Sequence, residues 1–193
     1  MSVYLDRAGL LKSLAPVKRS SLDVIRVFRS PGARHRGRLV AGPVSLPCAL
    51  GSAGIVRRKR EGDGGTPAAG MAVLGIRYRP DRGPRPLSGV PVSPIRPCDG
   101  WCDDPRSPRY NQPVRLPFGP SHERMWRDDR LYDIVFDLAW NRGPIRRGRG
   151  SAIFLHAARP GFAPTEGCIA IRHGMLRRLA SRIGRRTRIV VHG

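Results

Sequence analysis

Apolar and polar positions organise the chain from residue 21 onward. Leu22-Asp23-Val24-Ile25-Arg26-Val27-Phe28 sets polar residues among β-branched and aromatic ones and reads as a strand. Pro31 and Gly32, among several Arg, mark the turn that follows, up to Gly37. Leu39 to Leu46 reads as a second strand, weakened by Gly42 and Pro43. Arg60 to Pro67 must turn repeatedly, and Asp63-Gly64 reads as a hairpin turn. Met71 to Tyr78 resumes as a strand. Residues 80–121 are dense in Pro and read as a structured loop region of the kind that carries function. Leu131 to Leu138 is the strongest strand signal, and Ser151 to His156 and Ile169 to Ile171 read as short buried strands. Met175, Leu176, Leu179 and Ile183 fall at helical spacing from near His173. Thr187 to Val191 closes the chain as a strand. The pattern predicts a mainly β sandwich with one short C-terminal helix over residues 21–193. Residues 1–20 read as a poorly ordered leader or a short helix.

Composition agrees with short elements. The chain has 193 residues, enough for one domain, with 19 Pro and 23 Gly. Its net charge is +22, and Lys occurs only at Lys12, Lys18 and Lys59, so 33 of the 36 basic residues are Arg. A nucleic-acid binder shows such an excess. Here the Arg are spread along the whole chain, and aromatics make up only 6% and do not alternate with them. The expectation is therefore no specific nucleic-acid partner. An anionic polymer rich in carboxylates suits the same surface. No stretch reaches the roughly 18 apolar residues of a membrane span. Met1 to Arg29 is broken by charged residues such as Asp6, Arg7 and Lys12, so no secretion signal is visible.

The four cysteines are Cys48, Cys98, Cys102 and Cys168. Cys98 and Cys102 lack the second close pair that a zinc site needs, so neither a metal nor another cofactor is expected. Cys168 stands in a different setting. The strand Ser151 to His156 ends in a histidine, a turn-rich loop follows, and Gly167-Cys168 opens the next apolar run. Closing a loop of this length costs about 2 kcal/mol, so His156 and Cys168 can meet. A free thiol titrates near pH 8.5, and an imidazole beside it stabilises the thiolate or removes its proton during attack. Gly167 has no side chain, so a substrate carbonyl can approach the main chain, where the N–H groups of Gly167 and Cys168 would form an oxyanion hole. This is the pattern of a cysteine nucleophile with a histidine base. The bland alternative is a structural cysteine near a surface histidine.

The segment resembles the signature of the L,D-transpeptidase catalytic domain, the YkuD-like family of cysteine peptidoglycan transpeptidases. Further segments look like one branch of it: Lys59 to Pro67, Gly100-Trp101-Cys102-Asp103-Asp104-Pro105 with Tyr110-Asn111, His122-Glu123-Arg124-Met125, and Arg149 to His156. The likeness runs from about residue 22 to 193. It implies a β sandwich with the cysteine at the base of a cleft, acyl transfer on peptidoglycan stem peptides through a Cys168 thioester, no cofactor, and a cell-envelope location. The same pair would serve an L,D-carboxypeptidase or endopeptidase, and the fold alone would serve a basic binding protein. Two positions depart from the family's commonest form. Glu166 stands where a His precedes Gly-Cys, and Ala170 stands where an Arg follows the Cys. Arg149 and Arg172 are the expected replacements for that Arg.

Other candidates are weaker. Cys102 sits beside Asp103 and Asp104, and carboxylates disfavour a thiolate. Trp101, Tyr110 and Asn111 are candidates to line a peptide groove. His122-Glu123 reads as a solvated or supporting pair. The glycines of residues 61–70 lack the Gly-Lys-Ser/Thr of a phosphate loop.

Overall fold

The computed structural model describes residues 21–193, and the expected leader lies outside the described residues. The fold is mainly β, with one short helix near the C-terminus.

Strand β1 (Leu22–Arg29) buries Ile25 and Val27 and exposes Asp23 and Arg26. The next strand expected, Leu39 to Leu46, is instead a hairpin of β2 (Arg36–Ala41) and β3 (Val44–Ala49). Gly42 sits at φ 61°, and proline fixes the next φ negative. That sign pattern belongs to the two-residue hairpin turn with glycine first, so the residues that weakened the strand reverse it.

Two short strands, β4 (Ile55–Val56) and β5 (Thr66–Pro67), pair in parallel across the 57–65 segment. The hairpin expected at Asp63-Gly64 does not form. The Asp63 carboxylate accepts bonds from the N–H of Arg60 (2.7 Å) and Gly65 (2.8 Å) and pairs with Lys59 Nζ (2.5 Å), folding the segment onto itself.

Strand β6 (Gly70–Tyr78) is the hub. One edge pairs with the C-terminal strand and with β7 (Val92–Pro94), and the other with β11 (Ile134–Leu138). The Pro-rich region also carries β8 (Asp99–Cys102) and β9 (Pro113–Arg115). With β10 (His122–Arg124) they form a separate sheet in the order β10-β8-β9. Strand β11 begins later than the apolar run suggests. Arg130 is at φ 63°, and the Asp129 carboxylate accepts the Leu131 N–H, so residues 129–133 form a turn.

Strands β12 (Phe154–Ala157) and β13 (Ile169–Ile171) run parallel, joined by the 158–168 loop. Helix α1 (His173–Ala180) buries Leu176, Leu179 and Ala180. The expected helical position Ile183 belongs to β14 (Ile183–Val191), which pairs in parallel with β1. The main sheet runs β11-β12-β13-β3-β2-β1-β14-β6, and the β6–β11 pairing closes it into a ring with β7 attached to β6.

The ring encloses the main core, to which β11 gives Phe136, β12 Leu155 and β13 Ile169. The opposite faces of β11 and β12 are buried as well. Val135 and Phe154 pack there with Trp101, Met125, Tyr132 and Cys168. Strands buried on both faces read as nearly continuous apolar runs, as Ile134–Leu138 and Ile153–Ala157 do, each with a single polar residue, Asp137 or His156. Between this outer face and the small sheet lies the cavity described next.

Candidate active site

Side chains alternate along β12, so Leu155 and Ala157 point into the ring and Phe154 and His156 point outward. Register sets Leu155 opposite Ile169 and His156 opposite Ala170. Cys168 therefore falls beside Phe154, on the face that carries His156. Both line one cavity of about 280 Å³. Cys168 is 7% exposed and His156 6%.

The thiol is held on two sides. It donates to the Ala152 carbonyl (3.1 Å) and accepts the Phe154 N–H (3.3 Å). Ala152 takes φ 50°, a conformation costly for a residue with a Cβ. Asn111 holds it there. Its Oδ1 accepts the Ala152 N–H (3.1 Å) and Trp101 Nε1 (3.1 Å), and its Nδ2 donates to the carbonyls of Trp140 (3.0 Å) and Asn141 (2.9 Å). Trp101 and Tyr110 are also buried, and Tyr110 donates to the Glu61 carboxylate. These three expected groove residues support the wall from behind. Asn111→Ala strands several buried donors and acceptors at once. It is expected to cost about 3 kcal/mol in urea unfolding, since each unsatisfied buried group costs about 1–3 kcal/mol. A loss below about 1 kcal/mol would show that the wall does not depend on this side chain.

The Gly-Cys junction is shaped from the other side. Gly167 has φ 131°, and a Cβ there would lie 2.8 Å from the Gly65 carbonyl oxygen. Gly51 approaches Gly64 closely, since a Cβ on it would fall 2.1 Å from the Gly64 oxygen. The glycines of residues 61–70 thus pack the Lys59–Asp63 segment against the junction. Thr165 Oγ1 donates to the Cys168 carbonyl (2.7 Å) and accepts the Gly167 N–H (3.3 Å). The N–H expected in the oxyanion hole is therefore engaged in a long bond that a stronger acceptor would have to replace.

His156 Nδ1 lies 2.8 Å from the Ala157 carbonyl. A carbonyl only accepts, so Nδ1 carries the proton and Nε2 is the free base. The Tyr132 ring packs edge-on to the imidazole at 5.1 Å. Tyr132 in turn donates to Glu123 (2.5 Å). Burial pulls the His156 pKa down to about 4, with Arg127 and Arg159 adding repulsion. Burial pushes the Cys168 thiol up to about 12, and the Glu123 charge acts in the same direction. Both groups rest neutral. A stored thiolate–imidazolium pair is not favoured.

Several residues at the cavity were not legible in the sequence. Arg149 and Arg172 are exposed and do not line it, whereas Arg127 and Arg159 do. Ala170 is fully buried within β13. Glu166 is exposed at the mouth. Of the pair His122-Glu123, only Glu123 lines the cavity, and His122 instead meets the Pro120 carbonyl (2.8 Å). Cys102 is fully buried. Proximity in sequence offered a signal only for Arg159, three residues after His156. All four cysteines are free thiols.

The closed β fold sets a cysteine and a histidine on one face, at one cavity. A family model, the YkuD L,D-transpeptidase catalytic domain, matches residues 34–191. The chain belongs to that family, and the membership supports catalysis of the L,D-transpeptidase type on peptidoglycan. The family is generally extracytoplasmic. Among the described residues no helix is long and apolar enough to cross a membrane. Neither a curated protein nor a solved structure matches the chain.

Proposed function

We propose that this chain is an L,D-transpeptidase in which Cys168 is the nucleophile and His156 the general base and acid, carried on the catalytic domain of residues 21–193. The observation that carries the reading is the placement of both side chains on one face of adjacent strands, opening to one cavity. Its donor is a peptidoglycan stem peptide, in which a diamino acid is joined through its L-centre to a terminal D-amino acid.

In the first step the thiol turns from the Ala152 carbonyl toward His156. Its proton passes to Nε2 as sulfur bonds to the acyl carbon. The C–N bond breaks, the leaving nitrogen takes that proton, and the D-residue departs as a free amine. His156 is neutral again, and the acyl group stays as a thioester. In the second step an acceptor amine bonds to the acyl carbon and passes its surplus proton to His156. The C–S bond breaks, and sulfur recovers the proton. Donation to the developing oxyanion falls to the Cys168 N–H, with Gly167 released from Thr165. Arg159, exposed at the mouth, is suited to a stem-peptide carboxylate. The substrate sets the location in the cell envelope.

A tetrapeptide stem supplied with a second stem bearing a free amine tests the reading. The expected products by mass spectrometry are the free D-residue and a cross-link between two diamino acids. Release without any cross-link would reassign the chain as an L,D-carboxypeptidase. No release from a folded protein would leave a basic binding protein as the better description.

A further inference from the structure

Acidic residues are scarce in this chain, 14 of 193, yet Glu61, Asp103, Glu123 and Glu166 are four of the thirteen residues lining the Cys168 cavity. In a chain of net charge +22, the cavity opposes the charge of the whole molecule. Two guanidinium groups stand among the lining residues, and one reaches a cavity carboxylate, Arg127 to Glu123 at 3.9 Å. Arg127 is forked onto Asp129, at 3.0 Å through Nε and 2.5 Å through a terminal nitrogen. Arg159 is exposed.

The carboxylates are not equivalent. Glu123 already accepts from Tyr132, and Glu61 from Tyr110. Asp103 leaves the end of β8 toward the cavity, anchored by its backbone N–H on the Ser121 carbonyl (3.2 Å). Its Oδ1 is buried and has no hydrogen-bond partner. Ser151 Oγ, on the same cavity and in a residue only 7% exposed, makes no hydrogen bond either. Buried polar atoms in this state are rare, and a ligand that brings a donor satisfies them. Among the described residues, no three His, Cys, Asp or Glu converge as metal ligands would, which favours an organic cation.

We propose that Asp103, with Glu61 and Glu166 lining the same cavity, selects a ligand bearing a free primary ammonium group and holds that end of the acceptor near Cys168, where it loses one proton to solvent before the neutral amine attacks the thioester. An ammonium has three donors for the open Asp103 oxygen and its neighbours, and an ammonium–carboxylate bond is among the stronger hydrogen bonds. The assignment rests on the cavity being the acyl-transfer site. It gives the Trp101–Pro105 segment a role at its half-buried end, since Trp101 and Cys102 are buried, Asp103 lines the cavity, and Asp104 holds the Arg106 N–H (2.9 Å).

The test titrates the full chain with Nα-acetyl-lysine methylamide and with its Nε-acetylated counterpart, followed by amide chemical shifts. The free ammonium is expected to bind about tenfold tighter or more, the lower end for a charge-assisted hydrogen bond, and Asp103→Asn is expected to remove that preference. Equal binding of the two ligands by the unmodified chain, or a preference that survives Asp103→Asn, overturns the proposal. Should Asp103→Asn fail to fold, Glu166→Gln at the exposed mouth carries the test, and the preference must fall there. β-Lactam acylation of Cys168 is measured alongside. An adduct without ammonium preference removes this proposal and leaves the acyl-transfer reading. Ammonium preference without an adduct leaves an ammonium site at Asp103 but overturns its role in holding an acceptor, together with the acyl-transfer reading.

Discussion

Cys168→Ala is expected to leave no detectable turnover, whereas Cys102→Ala keeps at least about a tenth of it, because no other group can form the acyl intermediate. The two thiols differ in what surrounds them. Cys168 lines the cavity, and its sulfur is positioned between the Ala152 carbonyl and the Phe154 N–H. Cys102 is fully buried in β8, opposite His122 in the small sheet. Losing the Cys102 sulfur leaves a small void, while losing the Cys168 sulfur removes the atom to which the acyl group would attach. Steady-state release of the D-residue from a stem peptide reads both variants. An active Cys168→Ala protein would reverse the assignment.

His156→Ala is expected to slow acylation of Cys168 by about 10²–10⁴-fold, the usual effect of losing a general base. The pH dependence separates this role from simple thiolate reactivity. An ordinary thiol reacts about tenfold faster per pH unit up to its pKa near 8.5. With Cys168 pushed up to about 12 and His156 pulled down to about 4, His156 is neutral throughout the neutral range. The acylation rate is then flat from about pH 6 to 9 and falls only as His156 gains a proton in acid. In His156→Ala the plateau is replaced by a rate that climbs with pH, because only the thiolate remains to react. A wild-type rate that climbs through pH 8.5 would show that His156 does not act as the base.

Much of this was readable before any coordinates. β-Branched runs fixed β1, β6 and β13 closely, since strands buried on one or both faces leave a direct apolar pattern. The misreadings lay where a side chain or turn decides. Gly42-Pro43 reversed a strand, the Asp129 carboxylate and Arg130 delayed β11, and the Asp63 carboxylate turned an expected hairpin into a folded loop. The meeting of His156 and Cys168 at one cavity was legible because they lie twelve residues apart, on β12 and immediately before β13. The rest of the cavity was not. Asp103 and Glu123 come from the small sheet and Arg127 lies just beyond it, and no local period reports which strand faces which. The same limit applied to Asn111, whose four bonds are made with residues 10 to 41 positions away.

The most direct measurement is intact-protein mass spectrometry after exposure to a carbapenem, whose strained acyl carbon a cysteine opens. The account predicts a single adduct that maps to the peptide containing Cys168, is released by hydroxylamine as a thioester is, and forms far more slowly in His156→Ala. A folded protein that stays unmodified at Cys168, or that carries its adduct on Cys48, Cys98 or Cys102, would contradict it.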